Sequence, residues 1–314
     1  MTTKEFAQLS WSELLSDDCR HLVRLAVRED LDQGYDWTTV ALVPEAAYGA
    51  ARLMAREHGV AAGLAAIPTV LDTMETRLTW EPQAADGQRV HPRDCLGTFS
   101  GNARDLLTTE RIVLNLVSRL SGIASLAAQY VQHASVGSAR VYDTRKTCPG
   151  YRRLDKYAAR CGGAKNHRSG LFDAILIKDN HLAFGLQQPT GSRPTIGSPA
   201  RAIHAARQFL HDTLPPDIAS AMIIEIEVDS LEQLDDVLPA SPDIVLLDNM
   251  TCEQLREAVT RRNAAGVATE LEASGGVTLD TIADVSRTGV ERISVGAITH
   301  SARALDLGLD WVYH

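Results

Sequence analysis

From Ala139 onward the spacing of apolar residues changes character. Upstream, helical spacing (Asp17 to Asp30, Gly63 to Glu75) mixes with strand-like pieces (Ala51 to Arg56, Arg77 to Glu81). Turn residues such as "EPQAADGQ" and "HPRDCLG" separate them, which predicts a small α+β domain. A long amphipathic pattern from about Thr109 to His133 predicts a helix, with a kink or break at Ser121-Gly122. Beyond Ala139 short apolar runs recur: "ARVYD", "AILIK", "IIEIEV", "DIVLLD", "TELEAS" and "RISVG". Helical patterns separate most of them, and three open with start signals. Ser198 precedes Pro199, while Ser230 with Gln233 and Thr251 with Gln254 have capping-box spacing.

Strands that alternate with helices form parallel sheets. Six runs of branched residues, read as buried on both faces, predict an α/β barrel rather than a one-sided sheet. The stretch from Gly185 to Gly197, rich in Gly, Pro, Ser and Thr, reads as a surface loop without chemistry.

In such a barrel, catalytic groups sit at the C-terminal ends of the strands. Those ends read Asp143-Thr144-Arg145-Lys146, Lys178-Asp179-Asn180-His181, Glu225 and Glu227, Asp248-Asn249, Glu272 with Ser274-Gly275-Gly276, and Gly296. Arg145, Lys146, Arg168 and Lys178, with His167 and His181 nearby, form an anion-binding set. Glu227 and Asp248, on neighbouring strands, suit Mg²⁺ bridged to a phosphate; the alternative is a buried pair balancing the cations. Glycines 275, 276 and 296, after the last strands, suit close backbone approach to a phosphate.

Charge sharpens this picture. The 314-residue chain carries a formal charge of −9, yet residues 140 to 179 hold ten Lys or Arg against four Asp, a local +6 that leaves −15 elsewhere. An island of positive charge in an acidic protein suits a compact polyanion, not the extended basic stripe of a nucleic-acid binder. Solvated helix surface is the alternative reading for Arg152, Arg153, Lys156 and Arg160. The longest apolar run, Val60 to Val70, is interrupted by Gly63 and Pro68 and too short to span a bilayer. No secretory signal is read at the start, and five cysteines without metal-ligand spacing are expected to be reduced thiols of a cytoplasmic protein. The residues alone thus point to a barrel holding a phosphorylated sugar and a second anion.

The stretches "ERIVLNLVSRLSGIAS", "DTRKTCPGYRRLDKYAARCGGAKNHRSGLFDAILIKDNH", "IEIEVDSLEQL", "IVLLDNM", "LEASGGV" and "ERISVGAITHS" resemble the successive signatures of the quinolinate phosphoribosyltransferases, from about residue 20 to 310. The resemblance implies an N-terminal α/β sandwich (1–124) against which the tail (298–314) packs, then an incomplete, about six-stranded parallel α/β barrel (125–297). It implies transfer of the phosphoribosyl group from phosphoribosyl pyrophosphate to quinolinate, with decarboxylation to nicotinate mononucleotide, in NAD biosynthesis. Arg145 and Arg168, helped by His167, are then expected to grip the quinolinate carboxylates. Lys146 and Lys178 would face the pyrophosphate or the substrate. Glu227 and Asp248 would hold Mg²⁺ and the ribose hydroxyls, and Ser274, Gly275, Gly276 and Gly296 the 5′-phosphate. Arg111 would enter the site of a neighbouring subunit, making the working unit a homodimer. Cys148 stands where a small hydroxyl residue is expected, and the loop at 185 to 197 is longer than the family's.

Three rival readings fit some of the same residues. A paralogue could serve a related base, and a Schiff-base aldolase could use Lys178, leaving the other cations unexplained. A non-catalytic binder of a phosphorylated metabolite would hold the donor without turnover.

Overall fold

A computed structural model describes residues 4–186 and 198–312. The expected surface loop lies, from residue 187 on, outside these described residues, and Gly185 and Leu186 end a helix, Asp179–Leu186. The chain divides into two compact units. One comprises residues up to Ala7, Tyr130–Arg145 and Lys165–Gly296; the other comprises Gln8–Gln129, Lys146–Ala164 and the chain from Ala297 on.

The second unit contains β1 (Tyr48–Ala55), β2 (Gly59–Val60), β3 (Leu78–Pro82), β4 (Arg89–Val90) and β5 (Cys95–Asn102). On β1, Ala51, Leu53 and Ala55 are buried while Arg52 between them is exposed, the period of two that fixes which face meets the core. β3 pairs β5 with Trp80 opposite Phe99, ring centroids 4.4 Å apart.

The Ala103–Ala134 helix supplies much of this core. Asn102 Oδ1 accepts the N–H groups of Arg104 and Asp105 at its start. Leu106, Val113, Val117, Leu120, Ala124 and Ala127 recur at helical spacing and are all buried. The helix is long and apolar enough to cross a membrane, but its apolar stripe is buried in the protein. It runs unbroken through Ser121-Gly122, against the expected kink. Small residues serve another purpose there. Ser121 Oγ accepts the Ala62 N–H (3.0 Å) and donates to the Ala62 carbonyl (3.1 Å). Ser125 Oγ accepts the Val60 N–H at 2.8 Å. A Cβ at Gly122 would lie 2.0 Å from the Arg303 carbonyl oxygen. Gly122→Ala would gain about 1 kcal/mol of helix propensity, but the overlap is with backbone that cannot swing aside, so its cost lies toward the upper end of the about 1–3 kcal/mol typical of overpacking and outweighs that gain. A lower melting temperature is the expected outcome; an unchanged one would show that residue 303 is not seated on the helix.

The first unit holds β6 (Arg140–Tyr142), β7 (Ile175–Ile177), β8 (Ile224–Val228), β9 (Ile244–Asp248), β10 (Glu270–Ser274) and β11 (Arg292–Ser294). They form one parallel sheet in the order β6-β11-β10-β9-β8-β7. β6 and β7 are its edges, and Lys165 adds a parallel bridge beside Tyr142. This is the incomplete barrel. The last strand, β12 (Leu307–Val312), pairs antiparallel with β1 and completes the second unit's sheet, β12-β1-β5-β3.

Register shows how the barrel is filled. Arg140 lies opposite Arg292, Arg292 opposite Glu272, Glu272 opposite Leu246, and Leu246 opposite Glu227. Residues directly opposite share a face, so Tyr142, Glu225, Asp248, Glu270, Ser274 and Ser294 point the same way. The other face, with Val141, Ile226, Val245, Leu247, Leu271 and Ile293, is buried. Helix residues of the same unit, including Ile203, Leu234, Leu255 and Ile282, are buried as well. Four of the six strands, β6, β8, β10 and β11, are therefore not uniformly apolar but alternate, with apolar residues outward and polar ones inward. By contrast, β9 carries Ile244 and Leu246 on the inner face before Asp248, and β7 carries Leu176 there. Glu225 and Glu272 sit within strands, not at their ends.

Helix starts follow the sequence closely. Ser198 Oγ accepts the Arg201 N–H, and Thr251 with Gln254 forms the full reciprocal box. At Ser230 only half of the box forms, because Gln233 Oε1 accepts from Asp229 N–H instead.

Candidate active site

Asp143, at the end of β6, organises the cationic rim. Fully buried, it accepts the His167 N–H (2.9 Å) and Asn166 Nδ2–H (2.7 Å). The bridge through Lys165 continues this attachment. Chain segments 23 residues apart are thereby held side by side, with Arg145 on one and Arg168 on the other. Burial, and then the neighbouring Arg145, lower the pKa of Arg168. Arg168 is only 6% exposed, and Arg145 Nε is buried without a hydrogen-bond partner. Among the described residues no carboxylate lies within ion-pair distance of either. Glu225 and Asp173 act on Arg168 only from beyond direct contact, so the two adjacent guanidiniums form a seat for a dianion.

The other cations of the island are accounted for differently. Arg140 and Lys165 pair with Glu5, and Arg153 pairs with Asp18. Lys156 is buried rather than solvated helix surface.

His167 lies beneath the rim. Its Nδ1 accepts the Arg168 N–H at 2.9 Å, while Nε2 faces Glu225 and Glu272 at 3.2 and 3.3 Å. These three buried side chains are close enough to share one ion. However, the N–H aimed at Nδ1 occupies that lone pair, so Nε2 carries the proton and faces the carboxylates as a donor. Burial opposes a charged ring, and the two carboxylates oppose burial by raising the His167 pKa. Burial also raises that of Glu225. The backbone N–H at Nδ1 keeps the Nε2–H turned toward the two carboxylates. Arg292 acts on both carboxylates and offsets their charge.

Farther up the same face, Lys178 Nζ is ion-paired with Glu227, whose side chain is 16% exposed. Asp248 lies opposite Ser274 and accepts from Asn249 Nδ2 at 2.8 Å. Asn249 also donates its N–H to the Ser274 carbonyl (2.9 Å), joining the two strand ends. The turn after Ser274 requires glycine. Gly275 has φ +96°, and a Cβ there would lie 2.2 Å from Asn249 Oδ1; Gly276 follows at φ +60° with open space where its Cβ would be. Bare backbone beside a serine hydroxyl suits an anion. Gly296 follows β11.

Lys146 and Arg111 belong to the other unit, both exposed, Arg111 on the Ala103–Ala134 helix. His181 Nδ1 accepts the Lys178 N–H (2.9 Å) and so caps the turn instead of facing a ligand with that nitrogen. Asp143, which ties the two arginines together, was named in the sequence only as one member of a charged strand end. Glu5 and Phe6 gave no signal, since nothing in "KEFAQ" marks it as part of the barrel.

A family model described as the C-terminal domain of quinolinate phosphoribosyl transferase matches residues 123–310, and one for its N-terminal domain matches 36–121. The chain is 41% identical to a nicotinate-nucleotide pyrophosphorylase (carboxylating) of Mycobacterium leprae over 94% of this chain and 97% of the relative. It is 34% identical to a quinolinate phosphoribosyltransferase (decarboxylating) of Nicotiana glauca, covering 93% and 82%. Among solved structures, the nicotinate-nucleotide pyrophosphorylase of Francisella tularensis superposes with a TM-score of 0.84 at 33% identity, covering 98% and 100%.

Proposed function

Because the chain belongs to the quinolinate phosphoribosyltransferase family, we propose that its rim residues divide into a dicarboxylate seat, a phosphate seat and an acidic pair between them. The enzyme transfers the phosphoribosyl group from phosphoribosyl pyrophosphate to quinolinate with loss of CO₂, giving nicotinate mononucleotide in NAD biosynthesis. The observation that carries the assignment is the Arg145–Arg168 pair without a carboxylate partner. Quinolinate's two carboxylates match it, whereas nicotinate's one would leave a guanidinium unpaired.

Arg145 and Arg168 orient the pyridine ring, with His167 acting from beneath through the Arg168 backbone. Ser274, Gly275, Gly276 and Gly296 receive the 5′-phosphate. Lys178 faces the pyrophosphate and exchanges its Glu227 partner for it. Two carboxylates at the ends of adjacent strands, partly exposed and supplying only oxygen, fit Mg²⁺, so Glu227 and Asp248 would hold that ion and the ribose hydroxyls. When bound, Mg²⁺ supplies positive charge that neutralises the departing pyrophosphate. As the C1–pyrophosphate bond breaks, the ribose develops oxocarbenium character, which the charges of Glu227 and Asp248 stabilise. The ring nitrogen then bonds to C1 and becomes cationic. The bond to the 2-carboxylate breaks as CO₂ leaves, its electron pair staying on C2 beside the positive nitrogen until a proton is taken up. No nucleophilic side chain is required, so a Schiff base at Lys178 has no step to serve.

The working unit on this reading is a homodimer with Arg111 given across the interface. Exposed apolar residues support it: Tyr35, Trp37, Leu42 and Tyr48 in one unit, and Leu171, Phe172 and Phe184 in the other, each at least 66% exposed. Arg111→Ala chains mixed with Glu227→Ala chains should recover up to about a quarter of wild-type activity, the share of sites that random pairing leaves intact. Mixed dimers without activity would exclude the shared site. The free thiols at Cys19, Cys95, Cys148, Cys161 and Cys252 support a reducing compartment, the cytoplasm.

The assay of the function follows CO₂ release and nicotinate mononucleotide formation with Mg²⁺, phosphoribosyl pyrophosphate and quinolinate, using nicotinate as the control base. Turnover with quinolinate alone supports the dicarboxylate seat. Equal turnover with nicotinate removes it.

A further inference from the structure

In parallel barrels the end opposite the active site ordinarily reads as a stability face. Here that end is closed by Lys4, Glu5 and Phe6, which belong to the barrel unit although they are distant in sequence from its strands. We infer that this segment is a positioning element of the quinolinate seat, with Phe6 setting the His167 ring and, through it, Arg168. The inference rests on the reading that Arg168 grips quinolinate.

The anchoring is ionic. Glu5 accepts from Tyr142 Oη (2.8 Å), Lys165 Nζ (3.1 Å), Arg292 Nη1 (3.2 Å) and Arg140 Nη1 (3.4 Å). Lys4 donates to Asp243 (3.0 Å) and to the Met222 carbonyl (2.8 Å), and its own carbonyl accepts from Arg292 Nη2 at 3.0 Å. Arg292 is fully buried and also paired with Glu270. Glu5 is thus part of the counter-charge that makes a guanidinium tolerable inside the barrel.

Phe6 converts this anchor into a constraint on the site. It is 4% exposed, packs with Tyr142, Ala174, Ile223 and Ile244, and its ring centroid lies 4.3 Å from that of His167 at a tilt of 31°. The edges of the imidazole are already fixed, Nδ1 by the Arg168 N–H and Nε2 by the facing carboxylates. Phe6 fixes a face. Without it the ring gains room to rotate, Nδ1 leaves the Arg168 N–H, and the guanidinium loses its register with Arg145. A displacement of ~1 Å in such a group can cost on the order of 10²-fold.

The test compares Phe6→Ala and Phe6→Leu with wild type in steady-state kinetics on the full chain, with both substrates varied. Phe6→Ala is expected to raise KM for quinolinate on the order of 10-fold or more, with KM for phosphoribosyl pyrophosphate nearly unchanged. Phe6→Leu, which refills the volume, should recover part of the loss. A folded Phe6→Ala with wild-type KM for quinolinate, or with both KM values raised alike, overturns the inference. Should Phe6→Ala not fold, Glu5→Gln decides. It keeps the shape of the anchor and weakens its charge, and must show the same quinolinate-selective rise for the inference to stand. Wild-type protein without quinolinate turnover would instead overturn the underlying reading, so the two failures are distinguishable.

Discussion

Replacing Arg168 with alanine is expected to weaken quinolinate binding by on the order of 10²–10³-fold, because truncating one member of a desolvated, hydrogen-bonded charge pair costs about 2–5 kcal/mol. Binding of phosphoribosyl pyrophosphate should stay within about threefold, close to the ~0.5 kcal/mol scale of substitutions that touch no contact. Isothermal titration with each ligand separates the two. Stability is the informative control. Arg145 and Arg168 repel each other, and Arg145 carries an orphaned Nε. Free enzyme therefore holds unfavourable charge that the ligand relieves. Arg145→Met, which keeps the stem and removes one of the adjacent charges, should melt no lower than wild type while losing quinolinate affinity as Arg168→Ala does. Equal weakening of both ligands would mean that the pair shapes the rim as a whole instead of seating the base.

The charged rim was legible in the sequence because the barrel rule converts each strand end into a position. Asp143, Lys178, Asp248 and Ser274 all fall where a short apolar run stops, and no tertiary knowledge is needed to find them. The interior was less legible, although its signal is present. In "IEIEV" and "ELEAS" the glutamates stand two apart, which places both on one face of a strand. Read as apolar runs, these strands lose that information, because parallel strands are expected to be apolar on both faces. Here the polar face is inside, filled by Arg140, Arg292, Glu225, Glu270 and Glu272. Ser121-Gly122 failed for a related reason. Glycine and serine break isolated helices, but in this helix they admit neighbouring backbone, and only the tertiary partners at Ala62 and Arg303 reveal it. Lys4, Glu5 and Phe6 lie beyond any local rule, since their partners are distant along the chain.

Glu227→Gln should lower kcat by on the order of 10²–10³-fold, the usual range when a group aimed at developing charge is removed. The substitution is nearly isosteric and the side chain is partly exposed, so the fold has little reason to change. KM for quinolinate should move little, because Arg145 and Arg168 are untouched. Electrostatics sets the size. A unit charge ~4 Å from a developing cation is worth ~4 kcal/mol at an effective dielectric of about 20, which corresponds to a factor of roughly 10³. Lys178 makes the result specific. In the free protein it is paired with Glu227, so glutamine leaves it unpaired and available to the pyrophosphate. Glutamine also weakens the proposed Mg²⁺ and ribose contacts, which offsets the freed lysine, so donor binding should change little even as turnover collapses. That contrast, measured as a donor Kd against single-turnover kcat, distinguishes a charge acting on the transition state from a residue that only binds the donor. A parallel loss of donor affinity and turnover would assign Glu227 to binding alone and leave Asp248 to stabilise the ribosyl cation.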